Sequence, residues 1–97
     1  MKKINELLLN NIINIDTRIL SRFTSSIINL YNDGWEVCDI IFDQTYESYK
    51  PNINKETLYN FFNEICNDLN KNGKDCNYNV YIYISKLLNI DNFENLY

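Results

Sequence analysis

The residue types that support most enzyme chemistry are scarce or absent in this sequence. The 97-residue chain contains no histidine, so a serine or cysteine nucleophile would have no imidazole base. Its two glycines, Gly34 and Gly73, are too few for a phosphate-binding loop or a dinucleotide-binding motif. Hydrolysis by paired carboxylates is not excluded by residue type, but a single small core leaves little room for the cleft it needs. We therefore predict a protein that is not an enzyme and uses no cofactor.

The three cysteines, Cys38, Cys66 and Cys76, do not predict a disulfide framework or a zinc site. Their number is odd and no two of them have Cys-x-x-Cys spacing. A metal site built on Asp39 and Asp43 would need further ligands, which the surrounding sequence does not supply. We expect reduced thiols, no bound metal and a cytoplasmic location, either in the cell of origin or in a host cell.

One acidic segment stands out as a candidate binding surface, because it contains four acids and no basic residue. The acids are Glu36, Asp39, Asp43 and Glu47, and the aromatic residues that flank them are Trp35, Tyr46 and Tyr49. On a helix the four acids would form one stripe, whereas on a strand Asp39 and Asp43 would share a face and Glu36 would lie opposite. Spaced carboxylates and exposed aromatic rings are typical of a surface that binds a basic partner. The alternative is a solvated polar face without a partner.

Direct binding of nucleic acid is not expected from the charge balance. Nine basic residues stand against thirteen acidic ones, and the net charge is −4. Tyr81 and Tyr83 could stack on bases, but such platforms also need a basic groove, so packing or contact with protein is the better interpretation. No run of apolar residues approaches the 18 that would indicate a membrane span, so no membrane association is predicted.

Three helices are predicted from apolar spacing and capping residues. Residues 3–13 carry a wide apolar stripe, which would pack internally or mediate self-association through this N-terminal helix. Asp16 is the predicted N-cap of a second helix that ends near Gly34. Asn54 is the predicted N-cap of a third helix, which Gly73 terminates.

Two further segments are ambiguous between strand and helix. Residues 78–84 alternate with a period of two, so we predict a strand there, and residues 36–43 are its expected antiparallel partner. Short helical turns are expected over 86–88 and after Asp91. The predicted fold of the single domain, residues 1–97, is thus α+β and mostly helical, with roughly three to four helices on a two-stranded antiparallel sheet. An all-α bundle is the alternative.

The function class that these observations favour is stoichiometric binding to another protein. Frequent Asn, Ile, Tyr and Lys indicate an A/T-rich genome, of the kind found in some bacteria, phages and plasmids. We predict a phage- or plasmid-encoded inhibitor of a host defence nuclease, in the manner of anti-CRISPR proteins. The partner would be a basic, nucleic-acid-binding effector. The alternatives are a toxin-immunity protein or antitoxin, and a self-associating structural subunit.

Overall fold

Five α-helices and one 3-10 turn make up the part of the chain that the structure describes. The structure is a computed structural model that describes residues 6–28, 39–74 and 77–96. The helices are α1 (Glu6–Ile12), α2 (Thr17–Ile28), α3 (Asp39–Tyr49), α4 (Lys55–Lys71) and α5 (Asn77–Leu88), and the 3-10 turn spans Phe93–Asn95. None of the described residues lies in a strand, so the α+β prediction is wrong and the all-helical alternative describes the fold.

The predicted starts of α2 and α4 are confirmed by their capping hydrogen bonds. The Asp16 carboxylate accepts hydrogen bonds from the backbone amides of Arg18 and Ile19, at 2.8 and 3.4 Å. The side-chain oxygen of Asn54 accepts from the amide of Thr57 at 3.2 Å. These bonds satisfy amides that have no partner within the first turn of a helix.

The predicted end of α4 is confirmed as well. Gly73 follows the helix with φ = +66°, a conformation that glycine adopts without the steric strain of a β-carbon. The predicted end of α2 near Gly34 lies outside the described residues.

Both predicted strands are wrong where the structure describes them. Residues 78–84 lie inside α5, and residues 39–43 form the first half of α3, while residues 36–38 lie outside the described part. A period of two would have placed Tyr78, Val80, Ile82 and Ile84 on one face. Instead, Val80 and Ile84 are buried, whereas Tyr78 and Ile82 are exposed.

The burial pattern of α5 follows the helical period. Its buried side chains recur at spacings of three and four residues, and they are Val80, Tyr81, Tyr83 and Ile84, with Leu87 and Leu88 partly buried. Tyrosine and β-branched residues favour strands only weakly, and packing against a hydrophobic core overrides that preference. The residues predicted to pair with this segment are helical themselves, so it has no strand partner among the described residues. The turn predicted over 86–88 is the end of α5, and the turn after Asp91 is the 3-10 turn.

The core is centred on aromatic side chains from three helices. Phe23 of α2 contacts Phe42 of α3 and Phe62 of α4, with ring centroids 5.2 and 5.6 Å apart. Phe42 also lies edge-on to Tyr59 of α4 at 5.1 Å. The two edge-to-face pairs, Phe23–Phe42 and Phe42–Tyr59, add about 0.5–1.5 kcal/mol each to the burial of the rings. This cluster therefore fixes the orientation of α3 against α2 and α4.

Helix α4 lies at the centre of the fold and contacts α1, α3 and α5. The contact with α5 includes a buried polar pair, in which the Tyr83 hydroxyl donates a hydrogen bond to the Asp68 carboxylate. Burial and the negative charge of Asp68 raise the pKa of Tyr83 to about 12.

The contact with α1 buries Ile12, so the apolar side of α1 packs within the molecule, and the neighbouring Ile13 is exposed. Among the described residues, no helix combines the length and apolarity that crossing a lipid bilayer requires.

Candidate protein-binding site on helix α3

Three of the four predicted acids lie on one exposed face of α3. Asp39, Asp43 and Glu47 are exposed and follow one another at intervals of four residues. Four residues of α-helix rise about 6 Å, so the three carboxylates extend over about 12 Å of the helix. The helical alternative for this segment therefore gives the correct arrangement. Trp35 and Glu36 lie outside the described residues.

The charges of this face are only slightly offset by basic neighbours. Lys55 Nζ lies 3.3 Å from the nearer carboxylate oxygen of Asp43, and both side chains are about half exposed. An exposed ion pair of this kind contributes between about 0 and 1 kcal/mol, so it exchanges readily for a partner's cation. Asp39 lies in the first turn of α3, where the helix dipole stabilises a negative charge. The three acids therefore outnumber the one basic side chain that pairs with them in the described part of the structure.

The two predicted tyrosine anchors point inward instead of toward a partner. The Tyr46 hydroxyl donates to the carbonyl oxygen of Ile53, and the Tyr49 hydroxyl lies 2.8 Å from Ser26 Oγ. Both rings are half-buried and pack against the core. These bonds hold α3 to α2 and to the segment before α4, so the tyrosines position the acidic face.

An exposed isoleucine, which was not among the predicted site residues, lies beside the acids. Ile40 is 68% exposed, the largest value among the exposed large hydrophobic side chains of the described residues. On a helix of 3.6 residues per turn it falls beside Asp43 and Glu47. A helical projection from Asp39 to Tyr49 would have shown this position. We refer to Asp39, Ile40, Asp43 and Glu47 as the α3 face.

A groove of about 280 Å³ lies along one edge of the α3 face, between α3 and the start of α4. It is lined by Asp39, Phe42, Asp43, Lys55, Glu56 and Tyr59. Carboxylates beside an aromatic ring can hold the guanidinium or ammonium group of a basic side chain, through charge and through the face of the ring. The arrangement can thus receive an arginine or lysine of another protein.

Elsewhere in the described residues, the candidate chemistry is sparse. Tyr81 and Tyr83 are buried in the core, so they form no exposed platform for bases, in agreement with the packing interpretation. No three cysteine, aspartate or glutamate side chains in the described part come close enough together to hold a metal ion. The α3 face is therefore the strongest candidate for a binding site in the described part of the structure.

Comparison with known proteins returned no relative of this chain. No protein-family model, no curated protein and no solved structure matches it.

Proposed function

We propose that this protein is a stoichiometric inhibitor that binds the basic surface of another protein in the cytoplasm. The observation that carries the proposal is the α3 face, in which an exposed isoleucine borders a stripe of three exposed carboxylates. Charge complementarity accelerates association and excludes wrong partners, while a buried apolar anchor slows dissociation. A face with both features suits an enzyme that binds a polyanion, because such an enzyme presents a basic groove.

The partner class that fits this chemistry is a nuclease or another nucleic-acid-binding protein. Aligned carboxylates would occupy positions that phosphates otherwise take, and Ile40 would contact an apolar patch within the groove. Both a toxin neutralised by its immunity protein and a host defence nuclease blocked by an inhibitor belong to this class. The biochemical activity is the same for both, and the identity of the captured enzyme distinguishes them.

The rigidity of α3 supports this mechanism. Phe42 is fully buried in the core, and the hydroxyls of Tyr46 and Tyr49 bond to neighbouring elements. A face that is already ordered loses little conformational entropy on binding, which favours tight complexes from small surfaces.

The test uses two exposed acids at different places in the fold. Glu47→Lys changes the α3 face, and Asp91→Lys makes the same change of charge in the turn after α5. Each variant and the unchanged protein are immobilised and incubated with lysate of the source cell or its host. We expect the unchanged protein and Asp91→Lys to retain the same basic protein, and Glu47→Lys to lose it. A soluble polyanion should elute this protein, and rising salt should slow its association.

The captured enzyme is then assayed with increasing amounts of the purified protein. Inhibition that is complete at one molecule per enzyme molecule supports the proposal. The double change Asp39→Lys with Asp43→Lys should abolish inhibition without unfolding the protein. Equal retention and inhibition by all the variants would show that the α3 face is not the binding site.

A further inference from the structure

A second exposed surface lies on α5, away from the α3 face. Tyr78 is 53% exposed and Ile82 is 40% exposed, although both belong to a helix whose other large hydrophobic side chains are at least partly buried. The exposed Lys86 follows at the same interval of four residues. Residues spaced by four form one ridge along a helix surface, and such ridges are the units that interlock when two helices pack. We refer to Tyr78, Ile82 and Lys86 as the α5 ridge.

A groove of about 310 Å³ runs beside the α5 ridge. Its second wall is the segment from Asn89 to Glu94, which folds back along the helix. The amide of Ile90 donates to the Ser85 carbonyl, and the Phe93 ring packs 5.9 Å from that of Tyr81. The chain therefore runs back toward the start of α5, so Glu94, which follows Phe93, is nearer to the Tyr78 end of the groove than Ile90 is.

Charge and shape along this surface are self-complementary. Lys86 provides a positive charge at the C-terminal end of the ridge, whereas the second wall of the groove carries the negative charges of Asp91 and Glu94. Ile82 lies midway between Tyr78 and Lys86 in the sequence. A two-fold axis at Ile82 would therefore bring Lys86 of one copy to Tyr78 and Glu94 of the other, and the reverse. An ammonium group between an aromatic ring and a carboxylate is doubly stabilised.

We propose that the α5 ridge is a homodimer interface, in which two α5 helices pack antiparallel about a two-fold axis at Ile82. Each ridge fills the groove of the other copy, in the crossing that residues spaced by four favour, near −50°. The interface is distinct from the α3 face and goes beyond the proposed inhibition. A dimer of this kind carries two α3 faces and binds two partner molecules.

The oligomeric state of the full chain tests the proposal directly. Sedimentation equilibrium should show a monomer at low concentration and a dimer as the concentration rises toward about 500 µM, as expected for a small interface. Ile82→Asp should raise the dimer dissociation constant by roughly 100-fold, since both copies lose the buried apolar contact. The matched control is Ile40→Asp, which makes the same change on the α3 face and should leave the dimer intact.

A charge exchange tests the antiparallel arrangement. Lys86→Glu and Glu94→Lys should each weaken the dimer by roughly 10-fold, and the double variant should regain most of the loss. Thermal unfolding followed by circular dichroism checks that each variant remains folded. A strict monomer at every concentration would overturn the proposal, as would equal effects of Ile82→Asp and Ile40→Asp. A double variant no better than the single ones would overturn the pairing of Lys86 with Glu94.

Because Ile82→Asp leaves the α3 face unchanged, this variant should still bind the partner through α3. A dimer without any captured partner would refute the proposed function alone. A monomer that captures and inhibits its partner would refute the dimer alone.

Discussion

The buried phenol of Tyr83 makes the stability of this protein depend on pH in the alkaline range. Its side chain is 2% exposed, and its hydroxyl donates to the Asp68 carboxylate across the contact between α4 and α5. Burial, followed by the charges of Asp68 and Glu64, raises the pKa of Tyr83 from 10.0 to about 12. Removing the hydroxyl in Tyr83→Phe deletes both the titration and the hydrogen bond, and keeps the ring in place.

The size of the effect follows from the two pKa values of Tyr83. One pKa unit corresponds to about 1.4 kcal/mol, so the tighter binding of the Tyr83 proton in the folded state contributes at most about 3 kcal/mol to the free energy of unfolding. The proton is held more tightly in the folded state, so this stabilisation is fully present below pH 10 and is lost as the pH rises toward 12. At pH 11, midway between the two values, about half of it, roughly 1.4 kcal/mol, should be gone.

Urea unfolding at pH 8 and pH 11 measures this loss. The informative quantity is the difference between the parent protein and Tyr83→Phe, because this difference isolates the contribution of the Tyr83 phenol. We expect the parent to lose about 1.4 kcal/mol more than the variant between these pH values. At pH 8 the variant should be less stable by about 1–3 kcal/mol, because the buried Asp68 carboxylate loses a hydrogen-bond donor. Tyr78→Phe, at an exposed position and low protein concentration, is the control and should behave like the parent.

Two results would refute the reasoning about Tyr83. The first is a parallel decline of the parent and Tyr83→Phe between pH 8 and pH 11, which would mean that this phenol ionises as easily folded as unfolded. The second is a Tyr78→Phe variant with the same altered pH dependence as Tyr83→Phe, which would show that burial is not the cause.

Three further substitutions test the core, a helix cap and the α3 face. Phe42→Ala should lower the free energy of unfolding by about 3–5 kcal/mol, because the ring is fully buried between Phe23 and Tyr59. Urea denaturation measures this loss, and a change below about 1 kcal/mol would contradict the packing. Asn54→Ala should lower the free energy of unfolding by about 1 kcal/mol, because α4 loses its N-cap, and the melting temperature should fall accordingly. The control Asn60→Ala, at an exposed position within α4, should not destabilise the helix. Ile40→Ser should change the free energy of unfolding by no more than about 0.5 kcal/mol relative to the parent protein, because the side chain is exposed. The same substitution should weaken binding of the captured partner by at least about 10-fold in a titration. Unchanged affinity would exclude Ile40 as an anchor.

The helices with clear local signals were predictable from the sequence. Asp16 and Asn54 precede apolar residues at helical spacing, and each side chain caps its helix as its type predicts. Capping and termination depend on residues within one or two turns, so a sequence window contains all the information required.

Helix α5 was not predicted correctly, because a short window supported two periods. Within residues 78–84 nearly every position is apolar or aromatic, so alternation suggested a strand. A longer window that includes Leu87 and Leu88 shows the helical spacing from Val80 and Ile84 onward. The prediction of an antiparallel partner in residues 36–43 then compounded the error, since each strand was used to support the other.

The candidate site was only partly predictable. The sequence showed a segment with acids and no basic residue, but the shared face depends on the secondary structure, and the helix aligns Asp39, Asp43 and Glu47. Tyr46 and Tyr49 were expected to face a partner. Their hydroxyls instead bond within the fold, to Ser26 on α2, which is distant in the sequence, and to the Ile53 carbonyl in the non-helical segment before α4.

By itself, the sequence determined the absence of histidine-based chemistry, the caps of α2 and α4, and the concentration of negative charge before Lys50. These are properties of residue type and short-range spacing. Tertiary structure alone decided that Ile82 is exposed and that the tyrosines of α3 turn inward. The physical reason is that burial depends on which helices pack together, and that packing outweighs the weak local preferences of tyrosine and isoleucine.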